Sequence, residues 1–357
     1  QGVQPLFLRH TKGGVVHAAM IARPRAGGKL TRAAGLGIIQ RMSNNDQLKA
    51  GRPGTGAAVP AQRRSAAATG RALLRTMRPK QWTKNAVVFA PLIFDEKLFQ
   101  PALLARTFLA FALFCLISST VYIINDLVDI ENDRRHPKKR ERPLASGALS
   151  PTVAIAAATL FILVSIPAAL WLDSGFSLIL FGYLLLNVAY SFYLKHLVII
   201  DVLVIAAGFL LRVAGGVAVV EVERFSPWLY LVVTLGALFL GFGKRRHELL
   251  LLEDGADAHR AILAEYTLPF LDQLISLVTS TMVIAYSLYT FSAPNLPSNH
   301  AMMLTIPFVL YGLFRYLYLI HVKKEGGAPD ELLLNDKPLL ATGILWVLAV
   351  VVVLYLW

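Results

Sequence analysis

The stretch LLARTFLAFALFCLISSTVYIIN, residues 103–125, runs without a break into DLVDIEND, residues 126–133. The first segment holds one arginine and no acid, and as a helix it is long enough to cross the roughly 30 Å hydrocarbon core of a bilayer. The acids begin where the apolar run ends. Comparable runs recur at about 151–172, 175–193, 197–219, 226–243, 268–292, 302–322 and 338–357, with a shorter one near 84–96. A spanning segment must satisfy its own backbone hydrogen bonds, and these runs lack the short alternation of barrel strands. The expected fold is therefore all-α, a polytopic membrane bundle of about nine transmembrane helices.

Composition agrees. Across 357 residues, 56% hydrophobic and 16% charged content with a mean hydropathy of +0.57 exclude an ordinary soluble domain. The formal charge of +13 does not point to nucleic acid, because Lys and Arg cluster in an N-terminal tail and in short loops. Arg134, Arg135, Lys138, Lys139, Arg140 and Arg142 follow the second run, Lys195 the fourth, and Lys244, Arg245 and Arg246 the sixth, with Lys323 and Lys324 after the eighth. These alternate loops share one side, which the positive-inside rule makes cytoplasmic. The connections near Asp173, Glu221 to Arg224 and Ser292 to His300 lie opposite. The expected location is the cell membrane, with the N-terminus inside and the C-terminus outside.

Residues 1–68 are rich in Ala, Gly and Arg without an apolar stripe, and are expected to be a disordered tail. Residues 69–357 form the membrane domain. It opens on a short amphipathic helix carrying Leu73, Leu74 and Met77 with Arg71, Arg75 and Arg78, ended by Pro79, with Trp82 at interfacial depth. Cys115, the single cysteine, is read as inert packing.

On a helix, Asp126, Asp129 and Asp133 stand at i, i+3 and i+7, and Asn125 joins Asp129 at i+4, so all four share one face. Stacked acids at a membrane boundary repel one another unless a cation sits among them. Carboxylates completed by substrate phosphate oxygens are the usual surroundings of Mg²⁺. Arg142-Pro143-Leu144-Ala145-Ser146-Gly147 follows in the same loop and offers a planar fork to phosphate.

Asn125-Asp126-x-x-Asp129-x-x-x-Asp133 followed by Arg142-Pro143-Leu144-x-Ser146-Gly147 resembles the UbiA superfamily of intramembrane prenyltransferases, from about Leu73 to the C-terminus. The resemblance implies nine helices around a central cavity, with Asp126, Asp129 and Asp133 holding Mg²⁺ on a diphosphate and Asn125 orienting the site. The chain departs from the family where a second Asp-rich motif is expected: Gly243-Lys244-Arg245-Arg246-His247-Glu248 stands there instead. That segment suits extra phosphate charge or is a topology signal, with Glu248 a residual metal contact. His247 reads as a polar loop residue.

Arg78-Pro79-x-Gln81-Trp82-x-Lys84-Asn85 and Tyr190-Ser191-x-x-Leu194-Lys195, followed by Asp201 and Arg212, look like the phosphoribose-transferring branch of that superfamily. This resemblance implies 5-phosphoribosyl 1-pyrophosphate as the soluble donor and a polyprenyl phosphate as acceptor, serving cell-wall arabinan synthesis. Lys84, Arg142, Lys195 and Lys244 are then candidate ligands of the donor's phosphates, and Asp201, Arg245, Glu248 and Tyr190 complete the substrate-binding set. Tyr190 also reads as a packing aromatic. Arg212, well inside its span, either meets the acceptor phosphate or pairs with a buried acid or carbonyl. Two rivals remain: prenyl transfer to an aromatic ring, and a lipid transporter. The sequence leaves the oligomeric state, a homo-oligomer included, open.

Overall fold

The computed structural model describes residues 65–137, 139–222, 226–253, 261–293 and 296–356, and helices are numbered among these. The expected tail lies outside the described residues as far as residue 64, as do Lys138 and Arg224. Residues 65–68, read above as tail, instead open a helix. Ser65 caps α1 (Ala66–Met77), its hydroxyl accepting from the Ala68 amide at 3.2 Å. α1 closes at Arg78, whose backbone is left-handed (φ 54°), and Pro79 opens a 3₁₀ segment, Pro79–Phe89, continued by α2 (Ala90–Phe94).

Eight helical stretches among the described residues are long and apolar enough to cross a membrane. They are α3 (Pro101–Val128), α5 (Pro151–Leu172), α6 (Ser174–Phe192), α7 (Ile200–Val220), α8 (Pro227–Glu253), α9 (Leu268–Ser292), α10 (Ile306–His321, led by a 3₁₀ turn at Ala301–Thr305) and α12 (Lys337–Leu356). Short α4 (Ile130–Arg135) and α11 (Pro329–Asn335) lie between them. Local chemistry sets the boundaries: Ser150 and Thr267 cap helices with proline in the first turn, and Asp173 accepts from the Phe176 amide at 2.6 Å. The short run near 84–96 is also helical, but as the 3₁₀ segment plus α2. The connection placed after residue 243 is a correction: α8 continues through Lys244 to Glu253.

α3 is the most enclosed span, with 61% of its apolar window buried against 22% for α12. Its Phe114 meets Phe176 and Tyr183 edge-on, at 5.6 and 5.5 Å between ring centroids, joining α3 to α6. Outer faces leave Trp171, Leu178 and Leu163 bare, as lipid-facing side chains should be.

The 79–94 segment is pressed onto α7 at Gly216, where a Cβ would stand 2.2 Å from the Val88 carbonyl oxygen and 3.0 Å from Pro91 Cγ. Backbone cannot yield as a side-chain tip can. Gly216→Ala is expected to cost about 1–3 kcal/mol, whereas Gly182→Ala, with nothing within 4 Å, should be neutral or slightly stabilising. Unfolding midpoints of the two variants in detergent check this.

Candidate active site

The helical hydrogen bonds of α3 carry across Asp129 into α4: the Asp129 amide donates to the Asn125 carbonyl at 3.0 Å, and Asp133 to Asp129 at 2.8 Å. The acids therefore keep helical register, but their side chains divide between two surroundings. Asp126, 2% exposed, accepts from Arg78 Nη2 at 2.6 Å and from Arg142 Nη1 at 3.2 Å. Asp133 accepts from the same Arg142 Nη1 at 2.7 Å. Asp129 is more open and accepts from Lys195 Nζ at 3.0 and 3.3 Å.

Arg142 is placed by its loop. Leu144 and Leu149 are buried beneath it, the Leu149 amide donates to the Pro143 carbonyl at 2.8 Å, and Gly147 supplies a left-handed turn at φ 72°. Arg134 Nε adds a bond to the Ala145 carbonyl at 3.3 Å. The turn between Pro143 and Leu149 thus fixes where the guanidinium starts from.

Asn125, Asp129, Asp133, Arg142, Tyr190 and Lys195 line one cavity of about 580 Å³. Arg135, His136, Lys139 and His196 add basic character to its wall. Asp129, at the junction of α3 and α4, and Asp133 of α4 thus face Arg142 and Lys195 from two loops across a shared space, while Asp126 does not line it. Among the described residues no three Asp, Glu, His or Cys side chains close around one point. Asp126 and Asp133 do converge on a single cation position, the one Arg142 Nη1 fills, and Asp129 opens beside them. Hard oxygen donors in that number suit an ion that keeps several waters and takes substrate phosphate as ligand.

The rest of the expected substrate set lies elsewhere. Lys84 and Lys244 do not line this cavity. Arg245, 1% exposed, turns inward: its Nε donates to Asp201 Oδ2 at 2.7 Å and its Nη1 to Glu248. Asp201 is fully buried and accepts from the Tyr266 hydroxyl at 2.9 Å. Arg246 donates to Asp272 at 2.6 Å and to the Ile320 carbonyl at 3.1 Å, tying α8 to α9 and α10. The basic segment is helix, so its successive side chains fan to different neighbours and do not gather into a phosphate loop. His247 meets the Lys324 carbonyl at 2.9 Å.

Arg212 has no acid partner among the described residues. It donates to Asn85 Oδ1 at 2.7 Å, to the Gly208 carbonyl at 2.9 Å and to the Tyr183 hydroxyl at 2.7 Å. Asn85 in turn donates to Cys115 Sγ and Ser118 Oγ, each at 3.2 Å, so Cys115 is buried packing with a polar contact. Sequence reasoning flagged Arg78 without giving it a role, and missed Tyr183 and Tyr266. Arg78 touches Asp126 from 48 positions away, a pairing no local pattern reveals.

The UbiA prenyltransferase family matches residues 87–334, and the chain belongs to that family. It is 34% identical over 290 residues to the decaprenyl-phosphate phosphoribosyltransferase of Corynebacterium glutamicum, covering 80% of this chain and 87% of the relative. A protein of the same description from Mycolicibacterium smegmatis is 32% identical, covering 77% and 90%. Among solved structures, a UbiA homologue from Archaeoglobus fulgidus bound to GPP and Mg2+ superposes with a TM-score of 0.63 at 17% identity, over 79% of this chain and 99% of that one. That likeness concerns the fold.

Proposed function

We propose that this chain transfers 5-phosphoribose from 5-phosphoribosyl 1-pyrophosphate to a polyprenyl phosphate, decaprenyl phosphate in the named relatives, at the cytoplasmic face of the cell membrane, for cell-wall arabinan precursors. The observation that carries the reading is the cavity in which Asp129 and Asp133 face Arg142 and Lys195. Such a site suits a metal-bound diphosphate: acids for the metal, cations for the phosphate oxygens. The similarity to phosphoribosyltransferases over 77–80% of the chain supports the choice of donor.

In this reading the C1–O bond to pyrophosphate breaks, the pyrophosphate leaves with the electron pair, and a phosphate oxygen of the lipid forms the new bond to C1. The chemistry a bound Mg²⁺ supplies is charge neutralisation of that leaving group, with Asp133, Asp129 and Asp126 as its holders. Arg142 and Lys195 exchange carboxylate partners for diphosphate oxygens as the donor enters, which keeps every charge paired. Asn125 orients the acidic wall, and Tyr190 bounds the donor's space. The acceptor phosphate is already ionised near neutral pH, so the attack needs no strong general base. Positioning and electrostatic complementarity carry the catalysis.

With purified protein, Mg²⁺ and labelled donor, label is expected to pass from 5-phosphoribosyl 1-pyrophosphate to decaprenyl phosphate. Transfer from a prenyl diphosphate to hydroxybenzoate, with none from the ribose donor, would replace this reading with aromatic prenyl transfer.

A further inference from the structure

The loop that delivers Lys195 ends in a strained turn. Ile199 has φ 67° and ψ −45°, and the Ile200 amide donates to the Val198 carbonyl at 2.7 Å. That is a γ-turn of the rare, strained hand, centred on a β-branched residue that has no conformational reason to adopt it. Strain of this kind persists only where the surroundings over-determine the backbone.

The over-determination is visible. The Ile199 amide donates to the Tyr266 hydroxyl at 2.7 Å, and that hydroxyl donates onward to Asp201 Oδ1 at 2.9 Å. Asp201 Oδ2 is held by Arg245, which also holds Glu248. Tyr266 is 3% exposed and Asp201 fully buried, so the relay from Tyr266 through Asp201 to Arg245 of α8 is shielded from water and each link is satisfied. Burial pushes the Tyr266 hydroxyl up to about 12, which keeps it protonated. The turn segment preceding Tyr266 also supplies Ile262 to the cavity wall.

We propose that Tyr266 is a positioning residue, latching the strained turn at Ile199 so that Lys195 is held out over the cavity against Asp129. Asp201 and Arg245, first read as substrate ligands, are the anchor of this latch. The proposal rests on Lys195 being a diphosphate ligand. It does not depend on which group the diphosphate carries.

The test uses inorganic pyrophosphate with Mg²⁺, the moiety common to any diphosphate donor, titrated calorimetrically into the full chain in detergent. Tyr266→Phe keeps the ring that stacks on Phe270 and removes only the hydroxyl. It is expected to weaken pyrophosphate binding roughly tenfold in the parent but less than about twofold in a Lys195→Ala background, as groups acting through one another should. Equal losses in both backgrounds, or no loss, overturn the latch. Glycine takes this backbone conformation unstrained, so Ile199→Gly with Tyr266→Phe is expected to return binding to within about threefold of the parent. This double variant also serves if Tyr266→Phe alone folds poorly, and binding as weak as that of Lys195→Ala counts against the proposal. A Lys195→Ala chain that binds pyrophosphate normally removes the site reading itself, and the latch with it. Failure of ribose transfer with the couplings intact would touch only the choice of donor.

Discussion

Asp129→Ala is expected to lower turnover by about 10²- to 10³-fold, the range for removing one preorganised charge from a reacting site, with an unchanged thermal midpoint. Asp129 opens on the cavity, and Lys195, its side-chain partner among the described residues, lines the same space. Asp126→Ala should behave differently. Its carboxylate is 2% exposed and meets both Arg78 and Arg142, so its removal takes the carboxylate from Arg78, leaves Arg142 to Asp133 alone and disturbs the docking of the 79–94 segment. Activity and stability should fall together in that variant. Turnover measured beside detergent melting curves separates the two, and an Asp129→Ala enzyme with near-normal rates would remove the acidic face from the chemistry.

Arg245→Ala should cost about 3–5 kcal/mol of stability, because breaking a buried pair strands the remaining charge. Asp201 is fully buried and Arg245 is 1% exposed, so water cannot compensate. Lysine should not rescue it: Arg245 meets Asp201 through Nε and Glu248 through Nη1, a fork an ammonium cannot reproduce. A paired apolar replacement, Arg245→Met with Asp201→Leu, is expected to recover much of the loss. Equilibrium unfolding in detergent checks both, and an Arg245→Ala chain as stable as the parent but weak only in donor KM would return Arg245 to the substrate set.

Much of the fold was legible because the bilayer demands length. The runs read at 151–172 and 268–292 coincide with α5 and α9, whose caps and first-turn prolines punctuate the sequence. The acids at 126–133 and Arg142 were likewise legible, being close in sequence and joined through one loop. The basic segment at 244–248 was not. A run of charges after an apolar stretch reads as a loop, yet here their partners, Asp201 and Asp272, lie 44 and 26 positions away, and those pairings let the helix continue. Tyr266 carried no local signal, since its role depends on a turn near Ile199 that only tertiary contact stabilises.

Arg212 bears on how the chain is made. Placing arginine at the centre of a lone spanning helix costs about 2.5–3.5 kcal/mol on insertion scales. Two of the groups that accept its protons, Asn85 and Tyr183, precede it in the chain, and the third, the Gly208 carbonyl, lies within its own helix. Synthesis from the N-terminus therefore releases both partners to the membrane before α7 leaves the ribosome. The order of translation puts both polar partners ahead of the charge they receive.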